Sequence, residues 1–258
     1  MKIPTVRLQN GVPMPVFGLG TWKMADGDET KGAVRAALDA GYRLIDTATL
    51  YGNEASVGAA IRESGIPREE IFLTTKLWPT DYFRPREAFE TSLKELGMDY
   101  VDLYLVHWPI PMMPKGVWTA LEKIYEDKLA RAIGISNYSI EDTEKLLTYA
   151  HTPPAVNQVK FSPFDYEREL LEYSSKKGII IEAYSPLTRG TKLGNATVVE
   201  IARAHDKTPA QVMIRWCLEH GTVVIPKSSN PDRIKENMDV FEWNLTPNDM
   251  SALDSLSA

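Results

Sequence analysis

The chain has 258 residues, of which 43% are hydrophobic and 25% are charged, and its formal net charge at pH 7 is -6. A chain of this size and composition can bury a substantial core, which excludes an intrinsically disordered protein. The acidic balance argues against a surface devoted to nucleic acid or to an anionic membrane, because those partners select clusters of Lys and Arg.

A β-hairpin and eight further strands are predicted in chain order. An Asn-Gly pair between the strand-like runs of VRLQNGVPMPV indicates the hairpin. Amphipathic helical stretches such as DETKGAVRAALDAG separate the later strands, and several of them end on a Gly that is typical of a helix C-cap. The predicted strands cover residues 16–22, 43–46, 71–76, 101–107, 130–136, 155–159, 178–184 and 222–227.

The spacing of these strands predicts the architecture. Their centres lie roughly 25 to 30 residues apart, the size of a strand, a helix and two loops, except for a last interval of about 43 that has room for an extra helix. Eight such units in about 250 residues predict an α/β fold of the (β/α)8 TIM barrel type. We expect a single domain over residues 1–258, with the hairpin closing the bottom of the barrel.

Helix starts are marked by a capping residue that precedes Pro. The sequences TPAQ, NPDR and TPND predict helices that begin after Thr208, Asn230 and Thr246, so extra helices are expected near the C-terminus. The alternative architecture is an open doubly wound sheet, which normally carries G-x-G-x-x-G at its first strand-to-helix turn. The first strand instead gives GLGTWK, without the third glycine, and the barrel is therefore favoured.

Cysteine use and the first residues bear on the compartment. Cys217 is the only cysteine, so it forms neither an intrachain disulfide nor a multi-thiolate metal site, and its helical surroundings favour an inert core thiol. The first residues carry no apolar signal segment, and no stretch approaches the ~18 apolar residues of a membrane span. No spacing of His, Cys and carboxylates resembles a metal site. We expect a cytoplasmic monomer that binds neither nucleic acid nor membranes.

Three neighbouring strands end on titratable residues. Strands two, three and four end on Asp46, Lys76 and His107, and a TIM barrel builds its active site from such strand ends. Period-two alternation places His107 in an inward row with Leu105, and Tyr51 in the loop after strand two can lean over the same opening. The four side chains are therefore expected to converge on one face.

These groups suit the reduction of a carbonyl. A Lys76 ammonium beside Tyr51 favours the phenolate and is expected to bring the pKa of the phenol closer to neutrality. Asp46 would keep Lys76 charged, and His107 would orient a substrate oxygen. A phenol that donates to a carbonyl oxygen suits protonation of a developing alkoxide, and hence hydride addition to an aldehyde or ketone.

Taken together, the motifs at the strand ends resemble those of the aldo-keto reductases, most closely the short microbial type that includes the 2,5-diketo-D-gluconate reductases. The resemblance runs nearly end to end. It is carried by the segments GLGTW, DTATLYGNE, TTKLW, LVHWP, GISNY, VNQV, AYSPL and IPKSSNPDRIKEN. Matched position by position, it implies a catalytic tetrad of Asp46, Tyr51, Lys76 and His107, with Tyr51 as the general acid.

The resemblance also implies a nicotinamide cofactor across the barrel mouth, with its ring stacked on Tyr184. The implied cofactor contacts are Gly20, Thr21, Trp22, Asp46, Ser136, Asn137, Gln158, Tyr184, Ser185, Leu187, Ile225, Lys227, Ser228, Arg233, Glu236 and Asn237. The implied substrate contacts are Trp22, Tyr51, His107 and Trp108.

The last strand bears on which nicotinamide is used. Lys227, Ser228 and Arg233 place two cations and a hydroxyl around a helix start, whose amides also attract anions, and this suits an additional phosphate. The matching family residues bind the 2'-phosphate of NADPH, so the expected cofactor is NADPH.

Two departures from larger family members predict an open pocket. Only PIPMMPKG follows Trp108 before the next helical run, and the chain ends at MSALDSLSA. We therefore expect tolerance of small aldehydes, dicarbonyls and sugar-like ketones. Met112 and Met113 are interpreted as packing on the barrel, with an adaptable pocket wall as the alternative.

Two other functions stay open. A Schiff-base aldolase would use Lys76 as its nucleophile, which an ammonium held by Asp46 disfavours. A slow-turnover sensor would bind NADPH and perform little chemistry.

Overall fold

The computed structural model describes residues 3–111 and 114–257, and Met112 and Met113 lie outside the described residues. The strands of the N-terminal hairpin are β1 (Thr5–Arg7) and β2 (Pro13–Pro15). The barrel strands are β3 (Leu19–Gly20), β4 (Leu44–Asp46), β5 (Phe72–Leu77), β6 (Val101–Val106), β7 (Ala130–Ser136), β8 (Val156–Lys160), β9 (Ile180–Tyr184) and β10 (Val223–Ile225). The helices are α1 (Asp28–Asp39), α2 (Glu54–Glu63), α3 (Pro85–Leu96), α4 (Lys115–Glu126), α5 (Ile140–Leu147), α6 (Arg168–Lys177), α7 (Ala196–Ala204), α8 (Pro209–Glu219), α9 (Pro231–Met238) and α10 (Pro247–Asp254).

The barrel strands pair in parallel and in chain order from β3 to β10. The sheet closes where Phe17, just before β3, pairs with Val224 of β10, and the amide of Gly18 donates to the carbonyl of Val224 at 2.9 Å. A Cβ at Gly20 would lie 3.0 Å from the carbonyl oxygen of Ile225, so this seam needs a residue without a side chain. The predicted (β/α)8 barrel is confirmed, and the open doubly wound sheet is excluded.

Helix starts follow the predicted caps. Thr208 and Thr246 form capping boxes at the starts of α8 and α10, and the side chain of Asn230 accepts from the amide of Arg233 at the start of α9. Both α7 and α8 lie between β9 and β10, which accounts for the longer last interval. None of the helices in residues 3–111 and 114–257 is long and apolar enough to cross a membrane.

The hairpin closes the N-terminal end of the barrel, as predicted. Leu8 and Met14 are buried and pack in one cluster with side chains that fill the lower barrel, including Leu44 and Val223. Gln9 Nε2 donates to the backbone carbonyl of Pro154 at 2.7 Å and ties the hairpin to the barrel wall. Because the lower interior is filled with apolar side chains, only the C-terminal end is left to bind a ligand.

Cys217 lies fully buried in α8, and burial raises the pKa of its thiol. A buried thiol with a raised pKa is a poor nucleophile, so the interpretation of Cys217 as an inert core residue is confirmed.

Candidate active site

Four side chains from three strands and one loop meet at the C-terminal end of the barrel. Lys76 Nζ donates to Asp46 Oδ1 at 2.7 Å and reaches the phenol oxygen of Tyr51 at 3.3 Å. The ring of His107 stands edge-on to that of Tyr51, with 5.7 Å between centroids. The structure therefore brings Asp46, Tyr51, Lys76 and His107 together.

The loop that carries Tyr51 is held from both sides. It forms a single 3-10 turn over residues 49–51, and Thr49 Oγ1 donates to the backbone carbonyl of Lys76 at 3.1 Å. Asn53 is fully buried, accepts from Thr47 Oγ1 at 2.8 Å, and donates to two backbone carbonyls in the β3–α1 connection. These bonds fix the phenol on a short, rigid loop rather than on a mobile one.

A buried carboxyl group behind this loop was not predicted as a site residue. Glu54, the first residue of α2, accepts from Thr75 Oγ1 at 2.6 Å and from Ser92 Oγ at 3.3 Å. Ser92 also lies 3.1 Å from Thr49 Oγ1. Glu54 thus links the Tyr51 loop to the strand that carries Lys76.

Lys76 is an ammonium in spite of its complete burial. Burial lowers the pKa of Lys76, but the carboxylate of Asp46 and the phenol of Tyr51 raise it, and the net direction is upward. Burial raises the pKa of Asp46 above its ordinary value, and the charge of Lys76, which lowers it, offsets only part of that rise; the 2.7 Å ion pair with Lys76 favours the carboxylate form. A lysine held in this way is not prepared to attack a carbonyl as a free amine.

The expectation of a lowered phenol pKa at Tyr51 is wrong. Burial raises the pKa of Tyr51 to about 12, and it outweighs the lowering by Lys76. The phenol therefore stays protonated over the physiological pH range, as a proton donor must. Burial and Lys76 lower the pKa of His107 to about 3, so its imidazole is neutral.

One large cavity opens above these groups, with a volume of about 1150 Å³. Almost every residue predicted to contact cofactor or substrate lines it. The predicted residues on its wall are Gly20, Trp22, Asp46, Tyr51, His107, Trp108, Ser136, Asn137, Gln158, Tyr184, Ser185, Leu187, Ile225, Lys227, Ser228, Arg233, Glu236 and Asn237. Thr21 and Lys76 are fully buried and do not line the cavity, and Thr21 Oγ1 donates to the backbone of Asp46.

The wall opposite Tyr51 is built from linked polar side chains. Tyr184 OH donates to Asn137 Oδ1 at 2.8 Å, and Asn137 Nδ2 donates to the backbone carbonyl of His107 at 3.1 Å. Asn137 has a positive φ of 63°, a conformation that Asn tolerates better than most residues. The aromatic ring of Tyr184 is thereby held at the cavity wall, where a flat ligand can stack on it.

The floor beside Asp46 holds a second buried carboxyl group that was not predicted. Gln158 Nε2 donates to Asp46 Oδ2 and to Glu182 Oε2, both at 2.8 Å. Glu182 is fully buried, and burial together with Asp46 raises its pKa to about 8. At neutral pH this carboxyl group is therefore protonated.

The far end of the cavity is cationic. Lys227 and Arg233 line it and are exposed, and Ser228 lies between them at the start of α9. Lys227 Nζ lies 3.9 Å from Glu29, and no carboxylate among residues 3–111 and 114–257 pairs with Arg233. One cavity, larger than the ~300–1,000 Å³ of ordinary small-molecule sites, therefore runs from a protonated phenol to a cationic end, and it has room for a dinucleotide.

Two further cavity residues escaped the sequence analysis. The indole of Trp78 stands edge-on to His107, with 5.0 Å between ring centroids. The guanidinium of Arg189 lies 4.6 Å from the ring centroid of Trp22, across the mouth. The position of Trp78, directly after the strand of Lys76, was an available signal, whereas nothing in the sequence pairs Arg189 with Trp22.

Within the ranges that the structure describes, no group of three or more His, Cys, Asp or Glu side chains is arranged to hold a metal ion.

Comparisons with known proteins agree with this geometry. The model of the "Aldo/keto reductase family" matches residues 16–258. The chain is 49% identical over 255 residues to "Glyoxal reductase" of Bacillus subtilis (strain 168), covering 98% of this chain and 92% of that protein. It is 48% identical over 257 residues to "9,11-endoperoxide prostaglandin H2 reductase" of Trypanosoma cruzi (strain CL Brener), covering 98% and 91%.

A solved structure shares the fold throughout. The crystal structure of an aldo/keto reductase from Brucella melitensis superposes with a TM-score of 0.95 at 46% identity, covering 99% of this chain and 100% of that one. The chain therefore belongs to the aldo/keto reductase family, whose members are oxidoreductases that act on carbonyl groups with NADH or NADPH.

Proposed function

We propose that this protein is an NADPH-dependent reductase that adds a hydride to the carbonyl carbon of small aldehydes, ketones or dicarbonyls, with Tyr51 as the general acid. The observation that carries the proposal is the meeting of a protonated phenol, an ammonium and a neutral imidazole at the floor of one cavity. A bound nicotinamide supplies the hydride.

The proton comes from Tyr51. With a pKa of about 12, the phenol keeps its proton until a substrate oxygen becomes strongly basic. As that proton leaves, the Lys76 ammonium at 3.3 Å stabilises the phenolate, and Asp46 keeps Lys76 in place. Tyr51 is thus a weak acid in the absence of substrate, and Lys76 helps it to release its proton when the substrate oxygen develops negative charge.

His107 orients the substrate. Its imidazole is neutral, and Nδ1 is buried without a hydrogen-bond partner among the described residues. The ring faces Tyr51 on one side and Trp78 on the other, which restricts its rotation. A neutral ring held in this way can donate one N–H to a carbonyl oxygen without competing as an acid.

NADPH is favoured over NADH by the cationic end of the cavity. Arg233 offers a guanidinium that no described carboxylate pairs with, Lys227 offers an ammonium, and Ser228 offers a hydroxyl. A phosphate monoester is the anion that such a set of donors selects. Asn137, Ser136 and Gln158 are proposed to hold the nicotinamide carboxamide, with the ring on Tyr184.

The substrate end is aromatic and open. Trp22, Trp78 and Trp108 line it, and Trp108 is 47% exposed. Beside Tyr51 and His107, the cations of Lys23 and Arg189 lie over the ring of Trp22 and can attract the oxygens of a small polar carbonyl compound. Small dicarbonyls are therefore proposed as substrates, in keeping with the glyoxal reductase to which the chain is similar.

The replacement Tyr51→Phe tests this function. Removing the proton donor is expected to lower the turnover of NADPH with glyoxal or methylglyoxal on the order of a hundredfold or more. NADPH binding, followed by quenching of tryptophan fluorescence, is expected to stay within about twofold, because the phenol hydroxyl is a proton donor rather than a cofactor anchor.

Other outcomes separate the remaining candidates. Full turnover in Tyr51→Phe would remove the phenol from its proposed role. Tight NADPH binding without turnover on any carbonyl would support a sensor. Borohydride trapping of a substrate on the unaltered protein would support an aldolase that uses Lys76.

A further inference from the structure

Glu182 lies where a barrel interior rarely holds a carboxyl group. It occupies the middle of β9, fully buried, and its neighbours across the strand pairs are Gln158 on β8 and Val223 on β10. The only hydrogen bond of its side chain among the described residues is the 2.8 Å bond from Gln158 Nε2 to Glu182 Oε2, and its Oε1 has no partner there. Such a group is costly to bury, so its retention calls for a role.

Asp46 and Glu182 together hold the amide nitrogen of Gln158. The amide nitrogen has two hydrogens, and they go to Asp46 Oδ2 and Glu182 Oε2. The reverse orientation would turn the amide oxygen toward the ionised Asp46, which is repulsive. With both hydrogens engaged on the floor, the oxygen of Gln158 remains available on the cavity side, where Gln158 forms part of the wall.

We propose that Glu182 is a positioning residue that fixes the amide of Gln158, so that Gln158 Oε1 accepts a hydrogen bond from the N–H of a nicotinamide carboxamide. The proposal rests on the proposed function, since it requires a nicotinamide beside Gln158. Under this proposal Glu182 neither contacts the ligand nor takes part in proton transfer.

The charges around Glu182 agree with a neutral acceptor. Asp46 on β4 and Lys76 on β5 are the charged groups that act on it, and β10 contributes the apolar Val223 and Ile225. Because the pKa of Glu182 is about 8, the group is protonated at pH 7. A neutral amide of the same shape can therefore take its place at pH 7, which supplies a matched control.

The experiment compares two ligands that differ in one hydrogen-bond donor. NADP+ carries a carboxamide, whereas its 3-acetylpyridine analogue carries a methyl ketone that cannot donate to Gln158. Affinities are measured by tryptophan fluorescence for the unaltered protein, Glu182→Met and Glu182→Gln. Met has a similar length and removes the acceptor, and Gln keeps an acceptor oxygen for Gln158.

Glu182→Met is expected to weaken NADP+ binding about tenfold, the size of one hydrogen bond, and binding of the acetylpyridine analogue by less than about twofold. Glu182→Gln is expected to bind both ligands within about twofold of the unaltered protein. Adding Glu182→Met to Gln158→Met is expected to cause no further loss of NADP+ affinity, because Glu182 acts through Gln158.

An equal loss for both ligands in Glu182→Met, or no loss for NADP+, would overturn the proposal and leave Glu182 a packing residue. If the Met variant fails to fold, Glu182→Asp carries the test, because its shorter side chain withdraws the carboxyl group from Gln158 and predicts the same ligand-selective loss. Failure of the proposed function looks different: an unaltered aldolase would bind neither ligand, and an unaltered sensor would bind the dinucleotide without turning over any carbonyl.

Discussion

The two ends of the barrel bury a carboxylate in different ways. Near the N-terminal end, Asp102 is fully buried on β6 and is bound by Arg68 and Arg131, each at 2.8 Å, and by the amide of Leu73 at 3.0 Å. At the C-terminal end, Asp46 has a single cation, Lys76, and that cation also reaches Tyr51.

The two sites differ in how far the fold itself fills the hydrogen-bonding capacity around the buried carboxylate. Asp102 joins the β5 and β6 strands to two arginines from neighbouring segments, and its acceptor sites are filled by the fold itself. The groups around Asp46 leave donors and acceptors unused within the described residues, such as Glu182 Oε1 and His107 Nδ1. Unused capacity is not confined to this end, because Arg68 Nε beside Asp102 also has no partner among the described residues, but only the groups around Asp46 lie under the large cavity.

The largest predicted effect is a loss of turnover when a charged residue at the C-terminal end of the barrel is replaced. Lys76→Met removes the cation that is proposed to stabilise the phenolate of Tyr51, and turnover of NADPH with a dicarbonyl is expected to fall about a thousandfold. Lys160→Met is the control, because Lys160 is half exposed on β8 and pairs with Asp165 away from the phenol. Equal losses in the two variants would show that the ammonium has no special role.

The next largest predicted effect is a loss of stability when Asp102, near the N-terminal end of the barrel, is replaced. Asp102→Ala removes an acceptor from Arg68, Arg131 and the amide of Leu73, of which Arg68 keeps its bonds to backbone carbonyls, and the free energy of unfolding in urea is expected to fall by about 2–4 kcal/mol. This is less than for a fully buried pair, because Arg68 and Arg131 are 19% and 38% exposed and can regain water.

The control for Asp102→Ala is Asp39→Ala, which breaks an exposed pair with Arg35 and is expected to change stability by less than about 0.5 kcal/mol. Turnover per folded molecule is expected to stay unchanged in both variants. A loss of turnover in Asp102→Ala without a loss of stability would break the proposed division between the two ends.

The smallest effect concerns an exposed charge at the mouth. Arg233→Ala removes a guanidinium that no described carboxylate holds, so stability is expected to stay constant while the affinity for NADPH falls about tenfold and that for NADH stays the same. Lys235→Ala, on the same helix but away from the cavity wall, is expected to leave both affinities unchanged. Equal loss of NADPH and NADH would contradict a phosphate contact at Arg233.

The barrel and its tetrad could be predicted from sequence because both follow from position along strands. Side chains along a barrel strand alternate between the interior and the exterior, and this alternation predicts that His107 points inward. The C-terminal ends of the strands lie at one edge of the barrel, which predicts where Asp46 and Lys76 meet. The pKa of Tyr51 could not be predicted in the same way. Its direction depends on how much water the folded loop excludes, and burial at this site outweighs the visible effect of Lys76.

Glu182 and Arg189 show the other limit. A Glu in the middle of GIIIEAY gives no sign of whether it faces the interior or the helices, and the only hydrogen-bond partner of its side chain among the described residues is 24 positions away. Arg189 lies in a loop with positive φ angles at Thr188 and Arg189, and its contact with Trp22 depends on that backbone shape. Contacts between segments that lie far apart in the sequence are visible only in the folded structure.

Because the loop of Tyr51 is anchored, the position of the phenol and the shape of the entrance to the cavity depend on different residues. Thr49 and Asn53 hold the phenol through buried bonds, whereas the neighbouring rim residues Leu50 and Trp108 are 46% and 47% exposed. Replacing such rim residues is expected to change which substrates enter without loosening the phenol beneath them. The barrel is therefore a suitable scaffold for redesigning substrate preference by substitutions at the rim alone.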